Sequence, residues 1–292
     1  MKKVVIMGAS SGMGLGVAEA LASRGVKVGI AARHTESMKA LKEKYPKYVE
    51  YAKIDITKPA AVGQLYDLIE ELGGMDIYFH VAGIYNENLY LDPEKDVEIA
   101  DTNCAGFARM ISTAYRYFRT NKKKGQIAAI TSVAGTKGVG RFAAYSSSKK
   151  FGQWYLDAVE QLSNAEKSGI SFTDIRPGWV RTPLENPEEN YPMNMTIDYV
   201  VPLIIKAIVK KERVAVIDWR WNIFTGIWRS IPNALWVKMN PTISTPDPNY
   251  PTVKEQKKEL GDNEHKHSSK NHGHAKEHTA EKDKVETENK KE

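Results

Sequence analysis

A chain of 292 residues with 41% hydrophobic content can bury the core of one large domain or two small ones. Its single cysteine, Cys104, excludes a disulfide framework and fits a reducing, cytoplasmic compartment, and no stretch reaches the ~18 apolar residues of a membrane span. The net charge of +6 is modest, and residues 251–292 hold ten Lys against ten Asp or Glu, so the excess lies in residues 1–250 and does not by itself imply nucleic acid.

Met1-Lys2-Lys3-Val4-Val5-Ile6 has two lysines but a very short apolar run, so it reads as a first strand and not as a signal peptide. Strand patterns follow at 3–7, 27–31, 49–54, 76–81, 126–131, 171–176 and 214–218. Several are continuous apolar runs, as buried parallel strands require. Helical patterns lie at 13–24, 36–45, 59–72, 94–121, 144–168 and 197–211, with Thr35, Thr57 and Thr196 as candidate N-caps. Seven strands with six intervening helices predict an α/β class, a doubly wound parallel sheet of the Rossmann type over residues 1–218.

Two motifs carry chemistry. Gly8-Ala9-Ser10-Ser11-Gly12-Met13-Gly14 falls between a strand and a helix. Glycines there let the backbone turn tightly against a pyrophosphate while the helix N-terminus offers N–H groups and positive dipole. The spacing is G-x-x-x-G-x-G, not the commoner G-x-G-x-x-G. The second motif is Tyr145-Ser146-Ser147-Ser148-Lys149, where Tyr and Lys four apart share a helical face. A phenol titrating near ~10 is a poor acid–base group at neutral pH; a neighbouring ammonium is expected to lower it and permit proton exchange with an alcohol or carbonyl oxygen.

With these motifs in this order, residues 3–218 resemble the short-chain dehydrogenase/reductase family. Asp55 matches the acid that contacts an adenine ring, with Ile56 beside it. Asn103 matches the asparagine that holds a proton-relay water, Ser132 the serine that polarises the substrate oxygen, and Tyr145 and Lys149 the catalytic pair. Pro177-Gly178-Trp179-Val180-Arg181-Thr182 matches the P-G-x-V-x-T segment over the nicotinamide. The resemblance implies a catalytic set of Asn103, Ser132, Tyr145 and Lys149. It implies cofactor contacts at Gly8, Ser10, Ser11, Gly12, Met13, Gly14, Asp55, Ile56, Ala82, Gly83, Tyr145, Lys149, Pro177, Gly178, Val180 and Thr182. Two departures stand out: His80-Val81-Ala82-Gly83 replaces the usual Asn-Asn-Ala-Gly, and Met7 stands where Thr is commoner. His80, at a strand end, reads as structural.

The stretch Ile30-Ala31-Ala32-Arg33-His34 lacks the carboxylate that binds a ribose 2′-hydroxyl in NAD enzymes, and Arg33 can pair with a 2′-phosphate, so NADP(H) is expected. The substrate side offers Tyr85, Val139, Phe142, Trp179, Leu184, Tyr191 and Met193, which suits a hydrophobic ketone or alcohol, steroid-like or a long-chain lipid. Gln153 and Trp154 read as facing the helix surface. The expected activity is an NADPH-dependent interconversion of ketone and secondary alcohol, in a homodimer or homotetramer. The rivals are a non-catalytic NADP(H)-binding regulator of the same fold and an extended-type epimerase or dehydratase.

After Asp218 the rhythm breaks. Trp219, Trp221, Trp228 and Trp236 are four of the six tryptophans and are interleaved with apolar and basic residues. Residues 219–240 read as a helical segment that packs as core or subunit interface, lies on a membrane surface as a peripheral contact, or covers the substrate pocket. Residues 241–292 read as a disordered polar tail. Its histidines 265, 267, 272, 274 and 278 lack an apolar frame to fix a coordination geometry, so no metal site is expected.

Overall fold

The computed structural model describes residues 2–181 and 191–239, all within one compact unit. Its strands are β1 (Lys3–Met7), β2 (Lys27–Ala32), β3 (Val49–Lys53), β4 (Ile77–His80), β5 (Gln126–Ile130), β6 (Ser171–Pro177) and β7 (Val214–Ile217). They form one sheet in the order β3-β2-β1-β4-β5-β6-β7, with every pairing parallel. The order reverses between β1 and β4, where Met7 pairs with both Ala31 and His80. Crevices at such a switch point, beyond the carboxyl ends of the strands, are where open α/β sheets bind ligands.

Successive side chains of a strand point to opposite faces, and the two cores follow that alternation. Val4 and Ile6 of β1 belong to one, Val5 and Met7 to the other. The first core is covered by α1 (Gly12–Ala22), α2 (Glu36–Lys44) and α7 (Ile197–Lys210), the second by α3 (Ala61–Glu71), α5 (Phe107–Thr120) and α6 (Ala143–Ala165). The strands are apolar on both faces because both faces are covered.

The expected strands and helices are present, most ends shifted by one to three residues, with one substantive difference. The long helix expected over 94–121 is three pieces: α4 (Pro93–Ala100), a π-helical turn (Asp101–Gly106) and α5. The wider π turn carries Asn103, and single π turns inside helices are frequent at functional sites. The apolar periodicity runs through both α-helical parts, so the sequence pattern gives no sign of the break.

Of the three candidate caps, Thr196 accepts a bond from the Tyr199 N–H, whereas Thr35 occupies its cap position without a side-chain bond. Thr57 is not a cap: Ala60 holds that place for α3, and the Thr57 hydroxyl donates to Asp55.

The Trp-rich segment forms α8 (Trp219–Ser230) and a single turn, α9 (Asn233–Trp236). Asp218 caps α8 by accepting from the Arg220 N–H. Trp221 and Trp236 are buried, Trp228 is half-buried and Trp219 is exposed. Trp221 lies on Gly178 so closely that a Cβ there would sit 2.0 Å from the indole nitrogen. Trp236 donates to the Gly138 carbonyl at 2.6 Å, and Lys137 donates to the Ile231 carbonyl and to Asn233. The segment's inner face is therefore part of the fold. The tail expected to be disordered, residues 241–292, lies outside the described residues.

Trp221→Ala is expected to cost about 3–5 kcal/mol, the range for a large aromatic removed from a core, while Trp219→Ala stays within about 0.5 kcal/mol. Urea unfolding of the two variants checks this; equal effects would mean that the helix is not oriented as described.

Candidate active site

Two close backbone approaches build the cofactor side. Gly8 has φ +94°, and a Cβ there would lie 2.3 Å from the Ala82 nitrogen; a Cβ on Gly14 would lie 2.1 Å from the Gly8 carbonyl oxygen. Only glycine fits either place. The turn thus brings the N-terminus of α1 to the carboxyl ends of β1 and β4. Ser11, the N-cap of α1, makes no side-chain cap bond, so the first-turn N–H groups face the crevice without a capping side chain. A cavity of about 380 Å³ opens there, lined by Gly8, Ser10, Ser11, Gly12 and Met13 on one wall. This cradle fits the diphosphate of a dinucleotide.

The cavity continues past Arg33, which follows β2 and is exposed, to Asp55 and Ile56 beyond β3. Burial would raise the Asp55 carboxyl, but bonds from the Thr57 hydroxyl and N–H, with the nearby Arg33 charge, hold it below its ordinary value. Ala82, Gly83, Pro177, Gly178 and Val180 complete the walls. Gly14 shapes the turn without lining the cavity. Thr182 and Leu184 lie outside the described residues.

Ser132, Tyr145 and Lys149 meet in the same cavity. Ser132 is the N-cap of a 3-10 turn, Val133–Thr136, and its hydroxyl accepts from the Ala134 N–H. Tyr145 lies in the first turn of α6, with the Lys149 ammonium 5.4 Å from its ring centroid. Burial pushes the Tyr145 phenol up to about 12, against a lowering hydrogen bond with Ser132. Burial also pulls Lys149 down to about 8, against the raising charges of Asp174 and Cys104. The expected lowering of Tyr145 is therefore not what this arrangement gives. Desolvation of the phenol outweighs the Ser132 hydrogen bond and sets the sign of the shift.

Asn103 does not line the cavity; it braces it. Its amide donates to the Ile84 carbonyl and to the Ser148 hydroxyl, while its oxygen accepts from the Ile84 N–H at 2.8 Å. Ser148 in turn donates to the Tyr145 carbonyl. One side chain so ties the loop following β4 to the helix of the Tyr/Lys pair. A Cβ on Gly83 would lie 3.2 Å from the Asn103 oxygen and 3.4 Å from the Lys149 ammonium, so the ammonium sits beside this brace.

His80 is fully buried and held to about 3, by burial and then by the Lys149 charge. Its Nδ1 pairs with the Tyr78 hydroxyl at 3.0 Å and its ring meets Phe107 edge-on. It is a neutral core residue, in line with the structural reading.

On the substrate side, Tyr85 packs edge-on against Tyr145 and Trp179, with centroids 5.1 and 5.9 Å away, and touches Phe142 at 5.2 Å. Trp179 stacks on Tyr191 at 4.1 Å. Tyr85 and Trp179 line the cavity itself, while Val139 and Phe142 form a buried cluster behind them with Trp236. Met193 packs on the first sheet core instead, with a backbone φ of 53° that turns the chain there.

Gln153 is the residue that the sequence reading misplaced. It is buried, not on the surface, and its amide donates to the Ser132 carbonyl at 2.9 Å. Trp154 is exposed as expected. The signal was available: Tyr145, Lys149 and Gln153 are four apart in turn, on one helical face. Thr57 was likewise not recognised as the partner of Asp55.

A family model described as short chain dehydrogenase matches residues 2–191, and the chain belongs to that family of oxidoreductases, whose members use a nicotinamide cofactor. An uncharacterised oxidoreductase of Myxococcus xanthus is 30% identical over 243 residues, covering 80% of this chain and 94% of the relative. Farnesol dehydrogenase of Aedes aegypti is 30% identical over 191 residues, 62% of this chain and 78% of that protein. The crystal structure of a short-chain type dehydrogenase/reductase from Mycobacterium marinum superposes with a TM-score of 0.68 at 26% identity, covering 75% of this chain and 95% of the other.

Gln153→Leu keeps the volume and removes the donor, leaving the buried Ser132 carbonyl without that bond. A loss of about 1–3 kcal/mol in urea unfolding is expected, together with a fall in turnover of about tenfold or more from the displaced serine. An unchanged unfolding midpoint and turnover would show that the bond positions nothing.

Proposed function

We propose that the protein is an NADPH-dependent reductase that interconverts a ketone and a secondary alcohol on a hydrophobic, steroid-like or long-chain lipid substrate. One observation carries the reading: Ser132, Tyr145 and Lys149 converge on a single cavity whose other end is a glycine cradle at a helix N-terminus. The residues that would hold the cofactor are the glycine turn, Arg33, Asp55 with Ile56, Ala82 with Gly83, and the segment from Pro177. When bound, the nicotinamide supplies or accepts the hydride.

The chain's own groups handle the oxygen and its proton. Ser132 donates a hydrogen bond to the reacting oxygen and fixes its position. In reduction Tyr145 gives its phenolic proton to that oxygen as the carbon gains hydride; in oxidation it takes the proton back. Burial keeps the phenol protonated until the reacting oxygen draws its proton, and Lys149 stabilises the phenolate left behind. Asn103, through Ser148, keeps Tyr145 in register. A regulator without catalysis would not need this complete set.

Arg33 supports NADP(H) over NAD(H). It stands at the cavity rim after β2, in a stretch without a carboxylate. The apolar preference rests on the aromatic wall of Tyr85 and Trp179, backed by Phe142 and Tyr191, and the farnesol dehydrogenase relative is consistent with it. A cytoplasmic homodimer or homotetramer belongs to the same reading; Phe151 and Trp154 give α6 an exposed apolar face for a second subunit. No helix of the described residues is long and apolar enough to cross a membrane.

Tyr145→Phe keeps the ring and removes the acid. Turnover in single-turnover reduction should fall at least ~10²-fold, with NADPH affinity near that of the parent; an unchanged rate would remove Tyr145 from this role. A fluorescence titration tests the cofactor. Arg33→Ala should weaken NADPH by roughly 1.5–3 kcal/mol and leave NADH nearly unaffected. Equal losses for both would make Arg33 structural and withdraw the NADP(H) assignment.

A further inference from the structure

The Trp-rich segment has two faces. On α8 the inner face is Trp221, Thr225 and Trp228, at helical spacing. The opposite face is Trp219, Ile223 and Ile227, which are 68%, 58% and 58% exposed. Leu235 on α9, and Val237 and Met239 after it, are also exposed. With Phe224 at the flank of α8, seven large apolar side chains are thus presented to solvent within 21 residues that contain no Asp or Glu. Scattered exposed leucines need no explanation, but a contiguous stripe with a polar rim marks an interaction site.

The rim is cationic. On the helical wheel Arg220 flanks one side of the Trp219-Ile223-Ile227 stripe and Arg229 the other, with Lys238 beyond α9. Arg220 is offset by its ion pair with Asp218. Burial, with the charges of Arg176 and Arg229, holds Lys150 below the usual lysine range, against the raising charges of Asp157 and Asp174. Lys150 also lies over the exposed Trp154 ring, 5.0 Å from its centroid. Apolar side chains at the centre, Trp at the edge and basic groups around them match the layering of a bilayer surface, acyl boundary below and anionic headgroups above. The chain beyond Thr252 has almost nothing apolar with which to cover the stripe.

We infer that the outer face of α8 and the 235–239 segment docks on an anionic phospholipid surface, with Trp219, Ile223 and Ile227 entering the headgroup boundary and Arg229 and Lys238 meeting lipid phosphates. Docking there would bring the substrate side next to lipid, since Trp236 packs with Val139 and Phe142 behind Tyr145. That consequence rests on the reductase reading; the docking itself does not.

The test is co-sedimentation of the full chain with vesicles of phosphatidylcholine alone or mixed with phosphatidylserine. The parent should bind the mixed vesicles, bind phosphatidylcholine alone more weakly, and lose affinity as salt is raised. Ile223→Ser with Ile227→Ser should weaken binding at least about tenfold, because two exposed apolar anchors are lost. Arg229→Glu with Lys238→Glu should weaken it only on the mixed vesicles. All four positions are exposed, so the melting temperature should stay near that of the parent. A parent that never sediments with vesicles, or an Ile223/Ile227 variant that binds unchanged, overturns the proposal. Sedimentation velocity separates the alternative: if that variant instead lowers the oligomeric state, the stripe is a subunit interface and lipid docking is withdrawn. The assay reads no turnover, so its failure would leave the reductase reading standing.

Discussion

The site depends on a backbone crossing that leaves no room for a side chain. Gly8 passes so near Ala82, and Gly14 so near the Gly8 carbonyl, that a Cβ at either would have to overlap main-chain atoms. This contact joins the end of β1, the start of α1 and the strand end after β4 at the point where the sheet order reverses. Once that junction closes, other groups fall into place. Gly83 sits beside Lys149, Asn103 reaches Ile84 with both ends of its amide, and Ser148 links Asn103 to the Tyr145 backbone. Ser132, the Tyr145–Lys149 pair and Asn103 come from three elements, and the Asn103 brace ties two of them, the π turn and α6, together.

Burial governs the electrostatics of that site. Tyr145 and Lys149 are both taken from water, and each shifts towards its neutral form, up to about 12 and down to about 8. A reading from spacing alone counts the ammonium and omits the desolvation. The Asp174 charge beside the lysine and the Ser132 hydrogen bond to the phenol moderate the shifts and do not set their sign. The same physics makes His80 an inert core residue despite its place beside the lysine.

The C-terminal helices back the walls of the cavity. Trp221 seals Gly178 in the segment after β6, and Trp236 backs the loop that carries Val139 and Phe142. Lys137 and the Trp236 indole fasten this contact through backbone carbonyls. The core reading thus holds for the inner sides of α8 and α9, where Trp221 and Trp236 are buried, and exposed apolar residues lie on the outer side.

The sequence by itself determined the sheet. Seven apolar runs alternating with helical periodicity leave few arrangements, and the expected strands end within a residue of those in the structure. It also determined the glycine turn and the Ser132, Tyr145 and Lys149 set, because local spacing and family resemblance both act on neighbouring residues. What it could not decide depended on distant partners. The π turn at Asn103 lies inside continuous helical periodicity, and it coincides with the bond to Ile84, nineteen positions away. Spacing puts Gln153 on the helical face of Tyr145 and Lys149, but only the structure shows that it meets the Ser132 carbonyl there. The four tryptophans look alike along the chain, and only packing against Gly178 and Gly138 sorts buried from exposed. Periodicity records which side of an element is apolar; the tertiary structure decides what that side meets, and with it the burial that sets each pKa.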